Sequence, residues 1–257
     1  MGAQRYTVGE IEVWCLQDGA SSFDNDVFPS ITDQDRADRL AAAGQSQIDT
    51  AFNAYLIKHP DGALDLVDTG CAHLFGPGAG FLPSRLKALG IAPGDIRNIF
   101  MTHLHRDHAG GLLSDGQAAY PNARLFVHPN ELAAFAENPD VARLPDVYPV
   151  TEIADGDVLP GGLRVWELFG HTPGHVGFWI GDRLALVGDI LHSYALQLPQ
   201  IEACPKNDMN PDEAIATRHA ALSLLAEQGI VWSGSHAVES KFMRVFVDGD
   251  GFRVEPA

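Results

Sequence analysis

Alternating apolar and polar positions predict strands in the opening part of the chain. The alternation, rich in β-branched residues, runs from Arg5 to Leu16 around a Gly9-Glu10 turn and predicts a hairpin. Asp18 to Ser22 interrupts the alternation, so we expect the hairpin to end there. Two more strands, Ala51 to Ile57 and Ala63 to Val67, are predicted on either side of a turn that contains proline and glycine.

The longest helix is predicted in the last quarter of the chain. Asn210 has the character of an N-cap, Pro211 suits the first helical position, and Gly229 suits the stop. Apolar residues recur between them at helical spacing. Shorter helices are predicted over Arg36 to Ala43, Leu82 to Leu89 and Pro129 to Glu137.

Strands are predicted on both sides of the long helix. No linker, repeat or low-complexity segment interrupts the chain, and an apolar content of 46% suffices for a sizeable core. We therefore predict a single domain over residues 1–257. The further strands are predicted over Arg124 to His128, Leu163 to Leu168, Gly177 to Ile180, Leu184 to Val187, Ile230 to Trp232, Phe242 to Val247 and Phe252 to Val254.

A dense cluster of metal-ligating side chains directly follows the apolar run Ile99-Phe100-Met101. His103, His105, Asp107 and His108 fall within six positions and precede two glycines. Imidazole suits zinc and its neighbours, and a carboxylate adds charge and a hard oxygen. The two histidines two positions apart point the same way on an extended segment, whereas the later pair points elsewhere. One loop can therefore supply two metals, which we favour over a loop of merely exposed polar residues.

The pattern His103-x-His105-x-Asp107-His108 resembles the signature of the metallo-β-lactamase superfamily. Later motifs of that superfamily follow in order, namely the segment from Gly170 to His175, then Gly188-Asp189, then Ser235-His236. This resemblance implies an α+β fold, a four-layer αββα sandwich with its metals at one sheet edge. The flanking sequence is similar to the methyl parathion hydrolase branch, which also resembles the N-acyl homoserine lactonases. The segments that carry this similarity are Asp68-Thr69-Gly70, Leu74-Phe75-Gly76-Pro77, Tyr120-Pro121-Asn122-Ala123, Gly188-Asp189-Ile190 and Ala214-Ile215-Ala216-Thr217-Arg218.

The resemblance also implies the ligands of two metal ions. Of the two histidines in the Gly170 to His175 motif, it selects His175, and His171 is expected to support a ligand or to bond the backbone. Two divalent ions are expected, zinc first, with manganese, cobalt or iron as alternatives. The first site is assigned His103, His105 and His175, the second Asp107, His108 and His236, with Asp189 bridging both.

Two ions of this kind supply hydrolytic chemistry. At a separation of about 3.5–4 Å they lower the pKa of a shared water to about 7 and so provide hydroxide at neutral pH. Hydroxide then attacks a carbonyl carbon or phosphorus, and neither serine nor cysteine is needed as nucleophile. Asp107 is the predicted catalytic residue, orienting the nucleophile and passing its proton to the leaving group.

Substrate contacts are expected from residues around this centre. His192 lies three positions after Asp189, where the homoserine lactonases have a tyrosine that contacts the substrate carbonyl; a supporting or core role is its alternative. In the resembled branch a variable cap corresponds to Asn138 to Val150, and Phe23 to Ser30 is a candidate lid. The aromatic candidates, each with ordinary packing as its alternative, are Phe28, Phe135 and Tyr148.

Charge and hydropathy narrow the classes of partner. The net charge is −17, because 17 basic residues stand against 34 acidic ones, which argues against nucleic acids and anionic membranes as partners. We find no apolar run of membrane-spanning length and expect a cytoplasmic protein, with a removed signal peptide as the alternative. Three scattered cysteines predict reduced thiols rather than a metal site.

These observations predict a dinuclear hydrolase of small, fairly apolar esters, lactones or phosphotriesters. A glyoxalase II-like thioesterase would share the ligands, but it carries a C-terminal helical domain, and few residues follow His236. A metal-binding module without turnover is the non-enzymatic alternative. The partner is expected to be a small-molecule substrate, and the resemblance implies a homodimer.

Overall fold

The computed structural model describes residues 2–257 and contains two large sheets. Its strands, in chain order, are β1 Ala3–Val8, β2 Ile11–Phe23, β3 Ile48–Lys58, β4 Leu64–Val67, β5 Ile96–Phe100, β6 Leu113–Ser114, β7 Gln117–Ala118, β8 Arg124–Val127, β9 Val150–Glu152, β10 Leu163–Glu167, β11 Val176–Ile180, β12 Leu184–Leu186, β13 Val231–Ser233, β14 Met243–Asp248 and β15 Gly251–Pro256. The α-helices are α1 Asp33–Ala42, α2 Leu82–Ala88, α3 Arg106–Ala109, α4 Pro129–Ala134, α5 Pro139–Ala142, α6 Leu144–Val147, α7 Tyr194–Gln197 and α8 Pro211–Gln228.

The first sheet has seven strands in the order β1-β2-β3-β4-β5-β8-β9, and the second has six, β10 to β15, in chain order. Strands β4, β5, β8 and β9 run parallel to one another, and β12 runs parallel to β13. Carboxyl ends of parallel strands meet at the same edge of a sheet. The loops that follow β5, β12 and β13 are therefore brought to common edges, where a site can form.

The two sheets pack face to face across an apolar layer. Phe100 of the first sheet lies between Phe126 and Phe178, with ring centroids 5.1 Å and 5.8 Å away. Each such fully buried side chain contributes about 1.5–3 kcal/mol to folding. Helix α2 covers the outer face of the first sheet and α8 that of the second, through Leu86 and Leu222 respectively. This arrangement confirms the predicted α+β fold and its αββα layers.

Strand β2 is longer than the sequence pattern predicts. It continues through Asp18 to Phe23, because a β-bulge between Gln17 and Gly19 absorbs the irregular residue. Asp18 is fully buried, and its carboxylate accepts hydrogen bonds from three backbone N–H groups. The predicted end of the hairpin at Asp18 is therefore wrong. A buried carboxylate that accepts hydrogen bonds from backbone N–H groups can lie within a strand without interrupting it.

The helix predictions hold, with shifted ends. Thr32 caps α1, its Oγ1 accepting from the Asp35 backbone N–H at 3.1 Å. Helix α8 has the predicted bounds, and Gly229 ends it with a left-handed φ of 63°. No helix within residues 2–257 is long and apolar enough to cross a membrane.

Candidate metal centre

The loop after β5 carries the first four donors. His103 is buried in an extended segment, and His105 is the N-cap residue of α3, which places Asp107 and His108 in the first turn. Asp68 fixes this loop. Its carboxylate accepts from the backbone N–H and the hydroxyl of Thr102, both at 2.8 Å, and lies 2.8 Å from His108 Nδ1. The other nitrogen of His108, Nε2, is thereby aimed away from Asp68.

Three loops of the second sheet bring the remaining groups to the same place. His171 follows β10, Asp189 follows β12, and His236 follows β13. Close packing fixes these loops, because a Cβ on Gly188, whose φ is +54°, would lie 2.3 Å from His175 Nε2. Only glycine fits there, which explains the Gly-Asp pair.

Three imidazoles form one group of donors. His105 Nδ1 lies 3.1 Å from His103 Nε2 and 2.9 Å from His171 Nε2. Asp189 Oδ2 lies 3.6 Å from His103 Nε2 and 3.5 Å from His171 Nε2. One carboxylate oxygen therefore faces this whole group.

A second group meets at the same oxygen. Asp189 Oδ2 lies 2.9 Å from His236 Nε2 and 3.3 Å from His108 Nε2. Asp107 Oδ2 completes the group, 3.7 Å from His236 Nε2 and 3.6 Å from His108 Nε2. Within each of the two groups, all donor atoms lie within 4.8 Å of one another.

Burial and neighbouring charges shift the pKa values of the donors in different directions. Burial lowers the pKa of His103 well below its ordinary value and that of His105 to about 3, so both imidazoles keep a free lone pair. Burial alone would raise the pKa of Asp189, but His108, His236 and His103 hold it well below the ordinary value. His108 Nε2 and Asp189 Oδ1 are buried without a hydrogen-bond partner. Burial alone would lower the pKa of His108 and of His236, but the carboxylates of Asp189 and Asp107 raise both pKa values. A metal that binds these two rings must therefore displace a proton. Imidazoles, carboxylates and orphaned polar atoms together fit a divalent metal centre.

The family model described as "Metallo-beta-lactamase superfamily" matches residues 50–225. The chain belongs to the metallo-beta-lactamase superfamily. The resemblance inferred from the sequence motifs is thereby confirmed.

Several relatives of the superfamily are similar to parts of the chain. N-acyl homoserine lactonase AiiB of Agrobacterium fabrum is 31% identical over 141 residues, 48% of each chain. N-acyl homoserine lactonase of Bacillus thuringiensis is 28% identical over 170 residues, 63% of this chain and 64% of its own. The hydroxyacylglutathione hydrolase of Methylobacillus flagellatus is 32% identical over 142 residues, 54% of this chain and 47% of its own. The chain thus spans about half to two thirds of these relatives' lengths.

Two solved structures resemble the whole chain. A structure of AidC, described as a dizinc quorum-quenching lactonase in complex with the product N-hexanoyl-L-homoserine, superposes with a TM-score of 0.88 at 25% identity, covering 100% of this chain and 97% of its own. The hydrolase AbOPH superposes with a TM-score of 0.87 at 27% identity and the same coverage.

His175 does not lie where the resemblance was taken to place it. Its Nδ1 is 2.8 Å from the Leu168 carbonyl oxygen, and its Nε2 accepts the Asp189 backbone N–H at 2.9 Å. Both ring nitrogens are thus occupied by backbone groups, and His171 takes the place beside His103 and His105. Burial lowers the pKa of His175 to about 4, which keeps Nε2 an acceptor. His175 therefore holds Asp189 rather than facing the donor groups.

The predicted substrate contacts divide into two pairs. His192 Nε2 lies 3.4 Å from Asp189 Oδ2, and the Phe135 ring lies 5.4 Å from the His105 ring, so both border the centre. Phe28 is instead fully buried in a small apolar cluster beside α1. Tyr148 donates its hydroxyl proton to the Leu112 carbonyl oxygen at 2.7 Å, within the core. Core packing engages both side chains, and the substrate contacts of Phe28 and Tyr148 stay predictions.

Aromatic residues that the sequence analysis did not select line the centre. The rings of Phe23 and Phe52 lie 5.8 Å and 6.0 Å from that of His236. Phe75 packs on Phe52 at 4.9 Å and is 43% exposed. With Phe135 these three form what we call the aromatic wall. Phe23 opens the segment that was predicted as a candidate lid, and the structure places it at the end of β2.

We expect His171 and His175 to respond differently to substitution. His171→Ala removes a donor and should lower bound zinc from about two ions per chain to about one after dialysis. His175→Gln removes no donor, and its amide oxygen can accept the Asp189 N–H, so zinc content should stay near two. Elemental analysis of both proteins checks this, and the opposite ranking would restore His175 as the ligand.

Proposed function

We propose that this protein is a dinuclear metal-dependent hydrolase that opens N-acyl homoserine lactones or similar small esters. The observation that carries the proposal is the meeting of two donor groups at Asp189 Oδ2, which lies 2.9 Å to 3.6 Å from imidazoles of both groups. A shared carboxylate oxygen suits two metals held side by side. The similarity to two N-acyl homoserine lactonases supports the substrate class.

The proposed ligands follow from the two groups. Two divalent ions are proposed, with zinc as the first choice and manganese, cobalt or iron as alternatives; the similarity to a dizinc lactonase supports zinc. When bound, such ions lower the pKa of water and polarise the bond to be cleaved. His103, His105 and His171 would hold the first ion, and Asp107, His108 and His236 the second. Asp189 Oδ2 faces both groups and would be available to either ion.

Asp107 is the proposed catalytic residue. Its side chain is 16% exposed, whereas that of Asp189 is 2% exposed and is enclosed by imidazoles. Asp107 is therefore the carboxylate of this centre that incoming substrate can reach. Asp107 Oδ2 can orient the nucleophile, take up its proton and deliver that proton to the leaving alkoxide.

The aromatic wall and His192 provide binding groups for an acylated lactone. Phe23, Phe52, Phe75 and Phe135 offer apolar surface beside the donors, which suits an acyl chain or another apolar substituent. Burial lowers the pKa of His192 well below its ordinary value, so the ring is neutral. We propose that His192 contributes a hydrogen bond to the substrate carbonyl. In this structure its Nε2 lies 3.2 Å from Asn207 Nδ2 and 3.4 Å from Asp189 Oδ2.

We propose that residues 1–257 form a single domain, that the protein is a homodimer, and that it acts in the cytoplasm on a small molecule.

Substrate class is tested by comparing kcat/KM of the zinc-loaded protein for three compounds. These are an N-acyl homoserine lactone, an aryl dialkyl phosphotriester and a glutathione thioester, the last because of the similarity to a hydroxyacylglutathione hydrolase. We expect the lactone to be preferred by a hundredfold or more, about 2.7 kcal/mol of differential transition-state binding. Preference for either other compound would reassign the substrate, and loaded protein silent on all three would favour a non-catalytic module.

His192→Ala should lower kcat/KM for the lactone more than about tenfold, the typical loss of a hydrogen bond to a developing charge. Zinc content should be unchanged, since the proposed ligands remain. His219→Ala is the matched control, because His219 lies on α8 against Phe252 and should leave the rate as it is. A wild-type rate in His192→Ala would remove His192 from the proposal.

A further inference from the structure

A buried ion pair lies behind His171, on the side away from the metal donors. His171 Nδ1 is 2.8 Å from Asp208 Oδ1, and Asp208 Oδ2 accepts from Arg218 Nη2 at 3.0 Å. Asp208 is 5% exposed and Arg218 is 1% exposed. A continuous line of polar contacts therefore runs from helix α8 to the donor groups.

Each of the three guanidinium nitrogens of Arg218 donates a hydrogen bond. Its Nε donates to the Ile190 carbonyl oxygen at 2.5 Å, and its Nη1 donates to the Ile201 carbonyl oxygen at 2.8 Å. Burying a charge this completely is tolerated only when it is paired and hydrogen-bonded. The planar fork reaches three acceptors at once, which a lysine ammonium cannot reproduce in the same geometry.

The backbone next to Asp208 donates hydrogen bonds to the loop that carries His171. Met209 N–H donates to the His171 carbonyl oxygen at 3.0 Å, and Asn210 N–H donates to the Gly170 carbonyl oxygen at 2.9 Å. The His171 main chain and imidazole are thus both fixed by one short segment at the start of α8. An aspartate carboxylate has acceptors only, so the imidazole nitrogen that faces it carries a proton.

We propose that Asp208, held in place by Arg218, is a positioning residue for His171 that keeps the proton on Nδ1 and leaves Nε2 free for a metal. The inference rests on the metal centre of the proposed function and not on its substrate. Carboxylate–histidine–metal contacts of this kind typically change metal affinity 10- to 100-fold when they are removed.

The test compares Asp208→Asn with a matched substitution elsewhere. His59, in the turn after β3, and Asp65, on β4, form another buried histidine–carboxylate pair. The two side chains are 2.7 Å apart, are supported by Asn98 and lie outside both donor groups. Cobalt affinity is measured by chelator competition, and the visible spectrum of bound cobalt reports on ligand geometry. We expect Asp208→Asn to weaken one cobalt ion about 10- to 100-fold and to alter the spectrum, and Asp65→Asn to change neither.

Wild-type affinity and spectrum in a folded Asp208→Asn protein would overturn the inference. If that variant does not fold, wild-type protein loaded with cadmium-113 and labelled with nitrogen-15 provides the test. Metal coupling to His171 Nε2 together with a slowly exchanging proton on Nδ1 is expected, and coupling to Nδ1 would refute the inference. Neither readout involves turnover, so an inactive wild-type enzyme would refute the proposed substrate without touching this result.

Discussion

One carboxylate oxygen is the constraint on which the rest of the structure depends. Asp189 Oδ2 lies within 3.6 Å of five imidazole nitrogens, the Nε2 atoms of His103, His108, His171, His192 and His236. Burial of a carboxylate at 1% exposure is costly unless positive charge is close. His108 and His236, whose pKa values are raised by the nearby carboxylates, supply part of this charge. Divalent cations among these donors would supply more of it.

The fold positions three of the rings around this oxygen through contacts on their far side. His108 is held by Asp68, His236 by the Ala51 carbonyl oxygen, and His171 by Asp208, so in each case Nδ1 is engaged and Nε2 faces inward. Asp189 itself is held through its backbone N–H by His175. The sandwich contributes the rigid strand ends from which these contacts are made. Precision in such a centre comes from the partners of the ligands as much as from the ligands.

Sequence patterns predicted the parts of the site whose residues lie close together in the chain. Four donors within six residues, and an aspartate after a buried strand and a glycine, are visible without a structure. The choice between His171 and His175 is not, because the two flank one turn and differ only in long-range contacts, with Asp208 and with the Asp189 backbone. Burial of Tyr148 and the continuation of β2 to Phe23 depend in the same way on distant backbone groups that no local pattern contains.

We propose two metals that share Asp189, with His171 rather than His175 in the first site. A crystal structure of the zinc-loaded protein, with anomalous scattering recorded on both sides of the zinc edge, tests this arrangement. Two zinc peaks are expected, one bonded to His103, His105 and His171, the other to Asp107, His108 and His236, with Asp189 bonded to both. A single peak, or a peak bonded to His175, would contradict the claim.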